Sequence, residues 1–197
     1  MLASQSLRRK ELLSKAGFEF RVIVSDAEEI THGETYWEHI PFLNALAKSE
    51  SVAEKYPGAL VIGADTVIEH KGLVLGKPSD IHAAAEMLRR LSGKTHNVTT
   101  AICLRNLSSN VKCIFSETTA VTFLHLDEST INGYLKLVNP LDKAGAYAIQ
   151  EYGEMLVAGV DGPLDNVIGL PVEKLRTGLY SCFCALGSSI TKRAPGE

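Results

Sequence analysis

Apolar and polar positions along the chain change repeatedly between a helical period and a strand period. Apolar residues at helical spacing predict a first helix from Leu7 to about Ala16, with Ser6 as its N-cap and Gly17 at its end. Helices and strands that alternate along a chain indicate an α/β domain, here with a mixed, twisted sheet. Further helices are predicted over residues 36–55, 80–91 and 127–138 and after Pro171, and strands over residues 18–24, 59–68, 73–75, 98–104 and 111–124 and around Tyr147 and Leu156.

Length and charge narrow the class of protein. The chain has 197 residues, 45% of them hydrophobic and 22% charged, which is close to the average of globular domains. We expect one domain over residues 1–187 and a flexible tail over residues 188–197. The net charge of −3 argues against a nucleic-acid polymer or an anionic membrane as partner. No apolar run resembles a signal peptide or a membrane span, so we expect a cytoplasmic protein.

The cysteines carry no metal or redox motif. Cys103, Cys113, Cys182 and Cys184 form no C-x-x-C pair. Cys182 and Cys184 alternate within an apolar stretch, which favours buried free thiols. Free thiols agree with a reducing cytosol.

An acidic residue interrupts the apolar strand predicted over residues 59–68. Asp65 has apolar segments on both sides. Because burial of an unpaired carboxylate is costly, Asp65 is a candidate catalytic or metal-binding residue. A strand-end aspartate with a structural hydrogen bond is the alternative.

Hydroxyl groups and cations gather at the start of the first helix. Ser4 and Ser6 precede the helix, and Arg8 and Arg9 lie in its first turn. Free backbone N–H groups and the positive end of the helix dipole suit a phosphate group at this position. A capped surface helix with solvated charges would show the same residues.

Three further polar positions are candidates for ligand binding. Lys77 lies in a Gly-Lys-Pro loop between a hairpin and a helix, where a lysine could bind an anion. Glu29, which follows another glutamate, could supply a second metal carboxylate. The amide of Gln150 could pair with the edge of a nucleobase through one donor and one acceptor. A surface lysine, an exposed acidic pair and a packed turn are the alternatives.

Short motifs follow one another in order along nearly the whole chain. They are Ser4-x-Ser6-x-Arg8-Arg9-x-x-Leu12-Leu13, Glu29, Gly63-Ala64-Asp65-Thr66, Gly76-Lys77-Pro78, Leu91-Ser92-Gly93-x-x-His96, Asp142-Lys143-Ala144-Gly145-x-Tyr147-x-Ile149-Gln150 and Val167-Ile168-Gly169-Leu170-Pro171. Together they resemble the Maf family of nucleoside triphosphate pyrophosphatases. The chain departs from the family at Leu7, where proline is usual, and in its short segment before Ser4.

The resemblance implies a fold and a reaction. The fold would be an elongated single α/β domain over residues 1–187, with a mixed twisted sheet and a central cleft, similar to inosine triphosphate pyrophosphatases. The reaction would be metal-dependent hydrolysis of a nucleoside triphosphate, with dTTP and UTP most expected, to the monophosphate and pyrophosphate. Asp65 matches the proton acceptor of the family. The positions that separate the dTTP/UTP-cleaving branch from the branch acting on 7-methyl-GTP correspond to Arg9, Thr66 and Gln150. The phosphate-site positions correspond to Ser4, Ser6, Arg8, Lys48 and Lys77.

Both lines of reasoning lead to one hypothesis for the chemistry. Asp65, Glu29 and phosphate oxygens would hold Mg²⁺ or Mn²⁺, and Asp65 would accept a proton from the water that attacks the α-phosphorus. A non-catalytic nucleotide-binding regulator of cell division and an enzyme that removes modified pyrimidine triphosphates are the alternatives. A homodimer would agree with the resemblance, since members of the family are often dimers.

Overall fold

The computed structural model describes residues 1–30 and 36–190, with side chains as far as residue 182 at the carboxyl end. The predicted α/β class is confirmed. The helices are α1 (Leu7–Lys15), α2 (Ile40–Lys55), α3 (Ile81–Leu91), α4 (Glu128–Leu137), α5 (Leu164–Ile168) and α6 (Val172–Ile190). The strands are β1 (Val61–His70), β2 (Leu73–Leu75), β3 (Thr95–Asn106), β4 (Val111–Phe123) and β5 (Val157–Asp161).

The five strands form one sheet in the order β2-β1-β3-β4-β5, and every pair of neighbours is antiparallel. Parallel pairing enters through single bridges from Leu2 to Val22 and to Ile62. Within the described residues, the mixed character predicted for the sheet therefore depends on the first residues of the chain.

Two short segments share the edge of β1 that lies opposite β3. Leu2 pairs with Ile62 near the start of the strand, and β2 pairs with residues 68–70 at its end. Hydrogen bonds of 2.8 Å join Ala3 N to Ile62 O and Ile62 N to Met1 O, so the short segment before Ser4 is anchored on the sheet. The middle of β1 lies between these two segments.

The helix α2 covers one face of the sheet at its centre and packs very closely against Gly63 of β1. A Cβ atom at Gly63 would overlap the backbone oxygen of Ala45 and would lie 2.9 Å from the Cβ of Ser49. Glycine is therefore required for this helix–strand contact. The contact brings the polar side chains of Asn44 and Lys48 to the middle of β1.

Two apolar clusters cover the other face of the sheet. One joins α3 and α4 to β1, β3 and β4, with Tyr134 and Phe123 as its largest buried side chains. The second joins α1 and α6 to the other end of the sheet through Leu13 and Leu175. The start of α1 and the Gln150 segment lie beside these clusters, so rigid packing supports the loops that carry the candidate residues.

Several predicted elements differ from the structure. The strand over residues 18–24 is wrong, because this segment pairs with the sheet only through the bridge at Val22. The strand around Tyr147 is also wrong, because Gly145 and Ala146 both have φ of 66°, which bends the chain into a 3₁₀ turn. The helix predicted from Tyr36 begins as a 3₁₀ turn, and α2 starts at Ile40.

The carboxyl-terminal helix corrects one expectation about the cysteines. Cys113 of β4 and Cys182 of α6 form a disulfide between positions 69 residues apart, so Cys182 is not a free thiol. Sequence patterns do not indicate this pair, because α6 reaches β4 only in the folded chain. Cys103 is a buried free thiol whose pKa is raised by burial. The side chain of Cys184 and residues 191–197 of the predicted tail lie outside the described part.

In the described ranges, no helix combines the length and the apolar character that crossing a membrane requires. The helix α6 continues to Ile190 and so includes the first residues of the segment predicted as a tail.

His96 is a buried histidine at the centre of the first apolar cluster. The residue is 2% exposed, and its ring contacts Phe123 and Tyr147 edge to face and forms a hydrogen bond of 2.7 Å between Nε2 and the hydroxyl of Tyr147. Burial lowers the pKa of His96 to about 4. The folded protein therefore keeps this ring neutral at pH values where the unfolded chain protonates it.

The free energy of unfolding is expected to fall as the pH drops from about 6.5 towards 4, because only the unfolded state then binds a proton at His96. The loss due to His96 between pH 7 and pH 5 is about 2 kcal/mol. Urea titrations of wild type, His96→Gln and the exposed control His82→Gln at both pH values measure it. Equal losses in wild type and His96→Gln would contradict the prediction.

Candidate active site

A cavity of about 510 Å³ opens where the middle of β1 meets the start of α1 and the loop after β2. Successive strand residues point to opposite faces. Asp65 accordingly faces α2 and Thr66 faces α1, and both line the cavity because it lies at the edge of β1. The structure brings all of the predicted site residues to this cavity: Ser4, Ser6, Arg8, Arg9, Glu29, Lys48, Asp65, Thr66, Lys77 and Gln150.

Asp65 is buried, and cationic and amide donors bind both of its oxygens. The Lys48 Nζ lies 2.7 Å from Asp65 Oδ1 and 3.0 Å from Glu29 Oε1. The Asn44 amide donates to Asp65 Oδ2 at 3.0 Å. A buried carboxylate is thereby compensated, and the ammonium of Lys48 joins the two carboxylates that the sequence predicted as metal ligands.

Asn44 is a site residue that the sequence reasoning missed. The residue is 3% exposed, and its side-chain amide accepts a hydrogen bond from the backbone N–H of Ile30 at 2.8 Å and donates one to the Ile30 carbonyl at 2.9 Å. Asn44 thus holds the chain next to Glu29 beside Asp65. Its signal in the sequence is the polar pair Asn44 and Lys48 at helical spacing, on a helix face otherwise formed by apolar and small residues.

Glu29 combines partial exposure with strong electrostatic support. Burial raises the pKa of Glu29, but the charge and hydrogen bond of Lys48 and the charges of Lys77 and Arg9 outweigh this effect, so the pKa lies below its ordinary value. Glu29 is therefore a carboxylate at neutral pH.

Arg9 connects three separate segments around the cavity. Its guanidinium donates to the Gly169 carbonyl at 2.9 Å, to the Ser4 hydroxyl at 3.2 Å and to the Thr66 hydroxyl at 3.1 Å. Burial lowers the pKa of Arg9, and the charges of Asp65 and Glu29 partly oppose this shift. Arg9 is held in a fixed orientation, which suits a residue that shapes the cavity.

The loop before α1 is organised by its own hydroxyl groups. Ser6 caps α1 by accepting the backbone N–H of Arg9 at 3.4 Å, as predicted for an N-cap. Ser4 accepts the backbone N–H of Ser6 at 3.2 Å. These bonds hold the loop and the helix start at the cavity although leucine stands at position 7.

Two cations of the cavity remain available for a ligand. Among residues 1–30 and 36–182, neither Arg8 nor Lys77 has a hydrogen-bond or ion-pair partner, and both line the cavity. Unpaired cations in a shared cavity bind an anion well, and a guanidinium binds phosphate oxygens with two parallel hydrogen bonds. The arrangement suits a ligand with several phosphate groups.

Gln150 lies at another wall of the cavity, with its side chain exposed. The segment that carries it is held from both sides. Gly145 N donates to the Gly76 carbonyl at 3.0 Å, and Ala148 N donates to the Tyr134 hydroxyl at 3.1 Å. The first bond links the Gln150 segment to the loop of Lys77.

Lys143, for which the sequence analysis predicted no role, holds the Gln150 segment in place through buried contacts. Its side chain is buried, and its Nζ contacts the Asn139 carbonyl at 2.8 Å, Asp142 at 2.9 Å and Glu151 at 3.2 Å. The residue next to Gln150 is thereby fixed to the chain that precedes the turn.

The donor set at Asp65 and Glu29 fits a metal that arrives with phosphate ligands. In the described residues, no group of three or more His, Cys, Asp or Glu side chains converges on one point. Asp65 and Glu29 nevertheless share one ammonium, so their oxygens lie close together. Magnesium in nucleotide-binding proteins takes one or two carboxylates and completes its shell with phosphate oxygens and water.

The fold and the site define an α/β protein whose cavity suits a polyphosphate ligand. In the part of the chain that the structure describes, the buried Asp65 and the partly exposed Glu29 lie in this cavity with the unpaired cations Arg8 and Lys77. Comparison with known proteins is consistent with this class. The family model described as Maf-like protein matches residues 1–182, and the chain belongs to this family.

Similar proteins cover almost the same length. A dTTP/UTP pyrophosphatase of Akkermansia muciniphila is 47% identical over 188 residues, which cover 95% of this chain and 96% of the relative. A dTTP/UTP pyrophosphatase of Fusobacterium nucleatum is 41% identical over 179 residues, which cover 91% and 93%. The solved structure of the Ham1 protein of Staphylococcus aureus matches with a TM-score of 0.45 and 18% identity over 78% of this chain and 88% of that chain, too distant to bear on function.

Proposed function

We propose that the protein hydrolyses dTTP and UTP to the nucleoside monophosphate and pyrophosphate. Relatives that are 41–47% identical and similar in length are dTTP/UTP pyrophosphatases. The observation that carries the proposal is the shared cavity, in which the buried carboxylate of Asp65 accompanies the unpaired cations Arg8 and Lys77. A cytoplasmic location and a homodimer remain predictions from the sequence.

The proposed mechanism assigns the phosphate groups to the cationic wall. Arg8 and Lys77, together with Lys48, bind the oxygens of the triphosphate and neutralise the charge of the leaving pyrophosphate. Asp65 accepts a proton from the water that attacks the α-phosphorus. Asn44 keeps one oxygen of Asp65 engaged at 3.0 Å, so the carboxylate is oriented for this transfer.

A divalent metal completes this proposal. Asp65 and Glu29 would hold it together with phosphate oxygens of the substrate, and it would supply charge neutralisation and an acidified water. Specificity for the base is assigned to Gln150, whose amide would donate to O4 and accept from N3–H of uracil or thymine. Arg9 and Thr66, joined at 3.1 Å, would shape the space that the nucleotide enters.

Pyrophosphate release from a panel of ribo- and deoxyribonucleoside triphosphates, with Mg²⁺, with Mn²⁺ and with EDTA, tests the function. UTP and dTTP are expected to give the highest kcat/KM, with monophosphate and pyrophosphate in equal amounts, and EDTA is expected to stop the reaction. Nucleotide binding without any product would favour the regulator. With modified pyrimidine triphosphates added to the panel, a higher kcat/KM for them than for UTP and dTTP would favour the enzyme that removes modified pyrimidine triphosphates.

The variant Gln150→Ala tests, in the same assay, whether Gln150 recognises the base. The KM for UTP and dTTP is expected to rise about tenfold, since about 1.4 kcal/mol of hydrogen bonding to the base is lost. Inhibition by inorganic tripolyphosphate, which has no base, is the internal control and should not change. An unchanged substrate profile would remove Gln150 from base recognition.

A further inference from the structure

A cation of the protein itself lies between the two candidate metal-binding carboxylates. The Lys48 Nζ is 2.7 Å from Asp65 Oδ1 and 3.0 Å from Glu29 Oε1, and Lys48 is 7% exposed. The other oxygen of Asp65 accepts from Asn44. Lys48 therefore occupies the space between the two carboxylates that would hold a metal.

We propose that Lys48 competes with the divalent metal for Asp65 and Glu29, so that the metal enters together with the triphosphate and not before it. This inference rests on the proposed function for the identity of the anion.

Electrostatics makes the competition strong. Two carboxylates attract a divalent cation, but an ammonium in contact with both cancels half of their charge. A metal bound to the same oxygens would also lie within a few ångströms of the ammonium, where charges of the same sign repel strongly. Magnesium further demands near-ideal octahedral geometry, which two carboxylates already engaged with other donors do not supply.

A triphosphate removes this competition in two ways. Its oxygens provide further ligands for the metal, and they offer Lys48 another anionic partner in the same cavity. Lys48 has a flexible stem and three N–H donors, so its ammonium can turn from the carboxylates to a phosphate group. Asp65 is then released from the ion pair and free to accept a proton.

Mn²⁺ binding to the protein without nucleotide, measured by EPR titration and calorimetry at pH 7, tests this inference. Lys48→Met is expected to bind Mn²⁺ at least about tenfold more tightly than wild type, because the competing charge is gone. Lys48→Arg keeps the charge and is expected to bind as weakly as wild type. The matched control is Lys55→Met, which removes a lysine from the same helix whose partner is Asp26 at 2.7 Å.

Thermal unfolding provides a second readout that stays informative if Lys48→Met is less stable. Loss of the lysine leaves Asp65 without its ion pair, so Tm is expected to fall in metal-free buffer. Mn²⁺ is expected to raise the Tm of Lys48→Met more than that of wild type, since a ligand that binds the folded state stabilises it.

Equal or weaker Mn²⁺ affinity in Lys48→Met would overturn the inference. If wild type releases no pyrophosphate while Lys48→Met binds Mn²⁺ more tightly, the proposed function fails and the competition stands. If wild type hydrolyses UTP and Lys48→Met shows no gain in affinity, the competition alone fails.

Discussion

Asp65→Asn is expected to lower kcat for UTP by about 10²–10⁴-fold while the protein still binds the nucleotide, because the variant loses the proposed proton acceptor and keeps the cationic wall. The asparagine side chain has the same shape, and its carbonyl oxygen still accepts a hydrogen bond. Among the described residues, Arg8 and Lys77 form no hydrogen bond or ion pair with Asp65, so these two phosphate-binding groups stay in place. Lys48 loses the charge of Asp65 but keeps its ion pair with Glu29 at 3.0 Å. Initial rates of pyrophosphate release and calorimetry with a non-hydrolysable UTP analogue measure the two quantities.

The control for this variant is Glu69→Gln, at another buried acid of β1. Glu69 is 7% exposed and accepts a hydrogen bond from Asn97 at 3.2 Å, outside the cavity. It is expected to keep the wild-type kcat, whatever it does to stability. Near-wild-type turnover by Asp65→Asn would exclude Asp65 as the base, and equal losses in both variants would point to a structural effect on β1.

Sequence reasoning could predict those site residues that are unusual for the element in which they lie. An acid within an apolar strand indicated Asp65, and hydroxyls with arginines at a helix start indicated the loop before α1. Each signal needs only neighbouring residues, because burial and helix capping follow from local pattern. The helices and strands with strong periodicity, such as α3 and β1, were predicted for the same reason.

The missing parts of the site depend on contacts between distant segments. Asn44 reaches Asp65 only because α2 packs against β1 at Gly63, and the sequence shows neither the contact nor its register. Lys48 was assigned through the family resemblance, and its double ion pair with Asp65 and Glu29 appears only in the structure. Geometry of this kind depends on how distant segments pack together, and the periodicity of the sequence carries no information about it.

The two strands predicted wrongly fail for specific physical reasons. Residues 18–24 alternate as a strand does, but they meet only the short segment at Leu2, so a single bridge forms. Around Tyr147 the apolar residues are buried, but the left-handed backbone at Gly145 and Ala146 prevents an extended run. Ala146 lacks the freedom of glycine at this φ, and the close packing of the Gln150 segment holds it there.

The position of the cavity follows from how β1 is covered. The Leu2 segment and β2 pair with the two ends of one edge of β1, and α2 covers the face on which Asp65 lies. Residues on both faces of β1 reach the cavity at this edge. Asp65 can therefore bind Asn44 and Lys48 of α2 while Thr66 binds Arg9. The close contact of α2 with β1 therefore controls both the fold and the chemistry.

Gly63→Ala is expected to lower the free energy of unfolding by about 3 kcal/mol, because the added methyl group overlaps the backbone of α2 and cannot be avoided by a rotamer change. For a chain of this size, Tm should fall by about 10 °C. The helix must move away from β1, which draws Asn44 and Lys48 from Asp65. We therefore expect kcat to fall about tenfold or more below the transition temperature.

Gly58→Ala is the matched control for this substitution. No heavy atom lies within 4 Å of a Cβ atom added at Gly58, so this variant should stay within about 0.5 kcal/mol of wild type and keep its activity. Urea unfolding and pyrophosphate release from both variants separate the general effect of losing a glycine from the effect of the contact. If Gly63→Ala were as stable and as active as Gly58→Ala, α2 would not depend on close contact with β1, and the placement of Lys48 beside Asp65 would need another cause.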